Sequence, residues 1–134
     1  MTNLTALSGR VKKYSGILLY DSKLYQILAR SAPDERSQKI TQSFSDQCRN
    51  SAENLYEIYR NMTHDHSDIQ FPSVRETGSF RSVLRSRLSH ELQLESEFRN
   101  EYLNISDNFR LKRIFYNASH SAMSRALGIL DMLI

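Results

Sequence analysis

Residues 79–105 read SFRSVLRSRLSHELQLESEFRNEYLNI, and their spacing of apolar residues is the clearest indication of the secondary structure. Its candidate core residues recur at steps of three and four, as on one face of an α-helix, and do not alternate as in a strand. That face comprises Phe80, Leu84, Arg87, Glu91, Leu94, Phe98 and Tyr102. The stretch therefore predicts one long amphipathic helix.

Three other segments share this periodicity, and polar breaks separate all four. Pro33-Asp34 offers a turn and an N-cap, residues 63–77 are polar, and Ser-Asp-Asn at 106–108 again provides caps. The predicted helices occupy residues 9–31, 34–62, 79–105 and 108–133. Together they predict a single all-α domain over residues 1–134, folded as a four-helix bundle.

The lengths of the breaks predict the topology. The first and third are a few residues long and should join antiparallel neighbours, whereas the middle one, about fifteen residues, can run the length of the bundle. We therefore expect two antiparallel hairpins joined by a long crossover loop.

Composition narrows the class of protein. In 134 residues, 40% are hydrophobic and 25% charged, which argues against disorder, and one cysteine excludes an intramolecular disulfide framework. The net charge of +3 is spread along the chain, so we expect a solvated charged surface and no nucleic-acid partner. With no apolar signal core and no apolar run of membrane-spanning length, the sequence predicts a cytoplasmic protein with no membrane partner.

Three segments carry a resemblance to a known family, and two of them are AENLYEIY at 52–59 and LYQILA at 24–29, the latter followed by APD at 32–34. These two resemble the ends of the second and the first helix, respectively, in rubrerythrin-type members of the ferritin-like superfamily. ELQLESEF at 91–98 resembles their third helix, where a metal-binding Glu precedes an aromatic residue by seven positions. The resemblance covers about residues 14–133 and implies the ferritin-like bundle.

The resemblance also implies where a di-metal centre would be held, and most of those positions are substituted. The family draws one Glu from each of two helices and Glu-x-x-His from each of the other two. Glu91 matches the third-helix Glu, while the first-helix position falls on Leu18, with Asp21 one turn later. The remaining positions fall on Cys48 and Ser51 in the second helix and approximately on His120 and Met123 in the fourth.

This loss of ligands sets the functional expectation. One Glu, with Leu and Met at other ligand positions, cannot neutralise two iron ions. We therefore expect a bundle that has lost most of its di-iron ligands, has no cofactor and serves as a non-enzymatic structural or interaction protein.

The alternative is a metal-binding, redox-active protein with a rearranged site. Asp21, Cys48, Glu91 and His120 offer carboxylate, thiolate, carboxylate and imidazole for a single zinc or iron ion. The competing interpretation is that Arg87 or Arg125 holds the carboxylates, because buried charges are usually paired.

The sequence also predicts contacts of charged, aromatic and aliphatic side chains. Arg87 and Glu91 are four residues apart, so an ion pair between them is geometrically natural. Aromatic residues at helical spacing should fill the core: Tyr14, Tyr25, Phe44, Phe98, Phe115 and Tyr116. Leu19 and Ile27 lie off the main seam, and the resemblance implies that they could face a second subunit in a homodimer.

Overall fold

The structure is a computed structural model that describes residues 3–75 and 78–134. It contains four α-helices in the described residues, and the all-α prediction is confirmed. The helices are α1 (Leu4–Arg30), α2 (Glu35–Thr63), α3 (Phe80–Asn104) and α4 (Phe109–Leu133).

A polar side chain caps the start of every helix. Asn3, Asp34, Ser79 and Asn108 each accept a hydrogen bond from the backbone N–H three residues later, at 2.7–3.2 Å. Such caps satisfy N–H groups that lack a partner within the helix. They fix the starts of α2, α3 and α4, which were predicted to within one residue. The predicted ends of these three helices also agree with the structure to within one residue.

The start of α1 was predicted wrongly. The helix begins at Leu4, five residues before the predicted start at Gly9. Asn3 caps it, and buried Leu7 continues the inner face that Val11 and Tyr14 extend. Gly9 lies exposed within the helix, because one Gly costs only about 1 kcal/mol and does not end a well-packed helix.

Contacts between helices give their relative directions. On the α1 side, Arg10 pairs with Glu101 at 2.9 Å, and Nζ of Lys12 lies 5.3 Å from the ring centroid of Tyr59. The start of α1 therefore lies beside the ends of both α2 and α3. On the α4 side, Arg110 pairs with Glu57 at 3.3 Å.

Residues 64–75 lie against the first hairpin. The hydroxyl of Tyr56 donates to the carbonyl of Ser67 at 3.0 Å, and the guanidinium of Arg49 lies 5.2 Å from the ring centroid of Phe71. Leu19 is only 2% exposed and, together with Phe71, lines a cavity of about 310 Å³. The expectation that Leu19 faces a second subunit is therefore wrong, because this chain already covers it.

Aromatic side chains fill one level of the core. Tyr14, Phe98 and Phe115 meet with ring centroids 5.1–5.9 Å apart, and both contacts made by Tyr14 are edge-to-face. We call these three residues the aromatic layer. Tyr116, which was predicted in the core, is 44% exposed, so that prediction is wrong.

Candidate functional site

Four charged side chains lie in the bundle interior, one helical turn or more beyond the aromatic layer. Asp21 and Glu91 are fully buried, while Arg125 is 1% and Arg87 7% exposed. We call these four residues the ionic centre. Ionisable side chains are almost never this buried unless they are paired, so their partners decide what the site can do.

Each carboxylate of the ionic centre pairs with a guanidinium on another helix. Arg87 on α3 donates to Asp21 on α1, and Arg125 on α4 donates to Glu91 on α3. The predicted pair between Arg87 and Glu91 is therefore wrong. Although the two residues are one turn apart, α1 and α4 each bring a closer partner of opposite charge.

Further polar contacts extend the ionic centre. The second oxygen of Asp21 lies 2.7 Å from Nε2 of His90, whose side chain is 31% exposed. Arg125 also donates to the side-chain oxygen of Gln47 on α2 at 3.5 Å. The four helices are therefore linked across the core by charged and polar groups.

Arg87 also lies against an aromatic ring. Its guanidinium carbon is 5.3 Å from the ring centroid of Tyr25, a distance that allows a cation–π contact. The ring of Tyr25 packs edge-to-face on Phe44, with centroids 5.4 Å apart. Phe44 in turn lies so close to α4 that a Cβ on Gly128 would come 2.7 Å from its ring, which explains the glycine there.

The charges of the ionic centre balance. Burial alone would lower the pKa of Arg87, but the Asp21 carboxylate and Tyr25 together outweigh burial and raise that pKa above its ordinary value. The pKa of Arg125 is raised in the same sense. Burial raises the pKa of Glu91, and the Arg125 charge opposes that rise. Two guanidinium groups thus face two carboxyl groups inside the bundle.

Some polar atoms of this region are left over. The hydroxyl of Tyr25, Nε of Arg87 and Oε1 of Glu91 are buried and have no hydrogen-bond partner among the described residues. Burial raises the pKa of Tyr25 well above its ordinary value of 10.0, and the Glu91 charge adds to the rise. Unpaired buried polar atoms are costly, so each needs a structural or functional explanation.

The four predicted metal ligands separate in the structure. Asp21 and Glu91 come together, and the third ligand group beside them is His90, which the sequence reading missed. One ligand atom from each of these three residues lies within 4.8 Å of the others. His90 precedes Glu91 directly, and its position one residue off the inner face of α3 was the available signal.

The surroundings of Cys48 and His120 differ from those predicted for metal ligands. Cys48 is fully buried, and burial raises the pKa of its thiol well above the ordinary value. A neutral thiol is a poor metal ligand and a poor nucleophile. His120 is exposed on α4 and contacts Tyr116, with ring centroids 4.4 Å apart, whereas Arg125 of the same helix points inward.

The residues present do not fit a di-metal centre. Two iron ions require several anionic oxygens and His nitrogens. The interior, as far as the structure describes the chain, instead supplies two carboxylates whose charge two guanidinium groups already neutralise.

No helix of the described residues combines the length and the hydropathy that a membrane span requires.

No protein-family model, curated protein or solved structure matches the chain.

Proposed function

We propose that this chain is a ferritin-like, rubrerythrin-type bundle in which two buried Arg–carboxylate pairs replace the di-metal centre. It would then act as a non-enzymatic structural or interaction protein. The observation that carries the proposal is the ionic centre, in which Arg87 holds Asp21 and Arg125 holds Glu91. These arginines supply the positive charge that metal ions supply in a carboxylate-bound site.

Helix directions support the ferritin-like topology. Arg36 near the start of α2 pairs with Asp131 near the end of α4, and Arg110 near the start of α4 pairs with Glu57 near the end of α2. The pair α2 and α4 is therefore antiparallel. Arg81 near the start of α3 donates to the carbonyl of Leu133 at the end of α4, so α3 also runs antiparallel to α4. Therefore α2 and α3 run parallel, and the connection between them must return along the bundle.

Electrostatics supports the loss of metal chemistry. An incoming cation would meet two guanidinium groups, and removing either from its carboxylate would leave a buried charge unpaired. Breaking a buried pair in this way costs about 3–5 kcal/mol. Metal binding at the ionic centre would have to offset that cost before it gained any net affinity.

A second candidate is a single zinc or iron ion held by Asp21, His90 and Glu91. One observation favours it: beside the other two ligand groups, Oε1 of Glu91 is buried and has no partner within residues 3–75 and 78–134. Three protein ligands with an open position would match a catalytic zinc site. Arg87 would have to release Asp21 for the carboxylate to turn toward the ion.

Metal content distinguishes the two candidates. Untagged protein would be purified after growth in iron- and zinc-supplemented medium, and elemental mass spectrometry would measure its metal. The proposal predicts far less than one ion per chain and a melting temperature that a chelator leaves unchanged, because the arginines already balance the carboxylates.

Two histidine variants make the measurement specific. His90→Ala removes the candidate imidazole ligand, and His120→Ala removes an exposed imidazole as the matched control. Near-stoichiometric metal that is lost in His90→Ala and kept in His120→Ala would overturn the proposal and support the second candidate.

A further inference from the structure

Helix α4 is apolar on two opposite faces. Its inner face is buried in the bundle and consists of Leu111, Phe115, Ala118, Ala122, Ala126 and Ile129. Its outer face is exposed and carries five large hydrophobic side chains: Phe109, Tyr116, Met123, Leu127 and Leu130. The exposed C-cap residue Ile134 continues this face. A helix that is hydrophobic on both faces is typically covered on both.

The outer residues follow the spacing of a coiled-coil seam. From Phe109 to Ile134, exposed positions recur at alternating steps of four and three residues, as a and d positions do in a heptad repeat. We call these positions the outer stripe: Phe109, Arg113, Tyr116, His120, Met123, Leu127, Leu130 and Ile134. The stripe extends about 37 Å at 1.5 Å per residue.

We propose that the outer stripe is a homodimer interface, in which α4 packs antiparallel against α4 of a second copy. In this register Tyr116 lies opposite Leu127 of the partner subunit, and His120 lies opposite Met123 of the partner subunit. The same register sets Phe109 against Ile134 of the partner subunit, so every stripe position meets a counterpart.

The charged member of the stripe favours the antiparallel arrangement. In a parallel pair, Arg113 would face Arg113 of the partner subunit, and like charges would oppose each other across the seam. In the antiparallel pair, Arg113 lies beside Leu130 of the partner subunit. Its aliphatic part can then cover the leucine while the guanidinium remains in water.

Charges beside the stripe complement each other in the same register. Arg110 and Asp131 are 21 residues apart, three full heptads, and therefore lie on the same side of the stripe at opposite ends. Antiparallel pairing brings Arg110 close to Asp131 of the partner subunit, once at each end. Their present partners, Glu57 and Arg36 on α2, form exposed ion pairs, which are weak enough to exchange.

One substitution on the stripe tests the interface. Sedimentation equilibrium over a range of concentrations should show a dimer for the wild type. Leu127→Glu should raise the dissociation constant at least about a hundredfold, because it removes two buried leucines per dimer. Leu4→Glu is the matched control, because Leu4 is 64% and Leu127 59% exposed but Leu4 lies on α1. Circular dichroism should show unchanged helix content in both.

Disulfide cross-linking tests the direction of pairing. Tyr116→Cys and Leu127→Cys chains would be oxidised separately and as a mixture. Antiparallel pairing predicts cross-linked dimers in the mixture only, while native Cys48 is fully buried and does not interfere. Three results would overturn the proposal. They are a wild type that stays monomeric at concentrations on the order of 100 µM, a dimer whose dissociation constant Leu127→Glu leaves unchanged, and cross-linking of each cysteine variant alone.

Discussion

The aromatic layer and the ionic centre occupy neighbouring levels of one core, yet they hold the bundle together by different means. Tyr14, Phe98 and Phe115 contribute by removing apolar area from water, a term that depends little on the exact partner. In the ionic centre, burial of the Glu91 carboxylate is compensated only while the guanidinium of Arg125 stays within hydrogen-bond distance. An apolar contact tolerates substitution by a side chain of similar volume, whereas a buried charge does not tolerate the loss of its partner.

The largest effect should come from breaking one pair of the ionic centre. Arg125→Met keeps most of the side-chain volume but leaves Glu91 without its partner, and should lower the free energy of unfolding by about 3–5 kcal/mol. Urea unfolding would measure it. The double variant Arg125→Met/Glu91→Leu should recover most of the loss, because an apolar pair of similar volume replaces the ion pair.

The pH dependence of Arg125→Met provides an independent check. Burial already raises the pKa of Glu91, and loss of Arg125 should raise it further. A carboxyl group with a raised pKa binds more protons in the folded state, so stability falls as pH rises above its ordinary value of 4.5. The variant should therefore be more destabilised at pH 8 than at pH 5. A penalty independent of pH would mean lost packing and not an unpaired charge.

A smaller effect is expected in the aromatic layer. Phe115→Leu removes a fully buried ring but keeps an apolar side chain of similar size, and should cost about 1–2 kcal/mol in urea unfolding. The value should not change between pH 5 and pH 8, because no charge is left without a partner. A loss as large as that of Arg125→Met would contradict the distinction between the two levels.

Sequence reasoning predicted the helices well because its signals were local. Spacing of apolar residues and capping side chains such as Asp34 and Asn108 act within a few residues of the chain. The presence of Asp21 and Glu91 in the interior could also be predicted, since both lie on inner faces. The interpretation that Arg87 or Arg125 holds these carboxylates is also confirmed. Which arginine pairs with which carboxylate could not be predicted, because the distance from Arg87 to Asp21 depends on how α1 and α3 pack.

Helix α4 shows where periodicity fails. It carries apolar residues on two opposite faces, so spacing alone cannot decide which face meets the core. Tyr116 was assigned inward on that basis, and His120 was assigned inward from the ligand positions that the resemblance implies. Both are exposed. His90 was missed for the opposite reason: it lies one residue off the inner face of α3 and reaches Asp21 only because α1 approaches there.

The smallest effect at neutral pH should come from Tyr25→Phe, beside the ionic centre. The Tyr25 hydroxyl is buried without a hydrogen-bond partner among the described residues, so its removal should leave stability within about 1 kcal/mol of the wild type.

Above pH 10 the stabilities of the wild type and Tyr25→Phe should differ. The pKa of Tyr25 is well above 10.0 in the folded chain, so only the unfolded wild type loses this proton and its stability falls as pH rises. Urea unfolding should show a loss of stability with pH that is about 1.4 kcal/mol per pH unit steeper in the wild type than in Tyr25→Phe. The raised pKa values of Tyr14 and Cys48 contribute equally to both proteins. Tyr20→Phe, which removes an exposed hydroxyl, should retain the wild-type slope. Equal slopes in all three proteins would mean that water reaches Tyr25, and the ionic centre would then be less isolated from solvent than the aromatic layer.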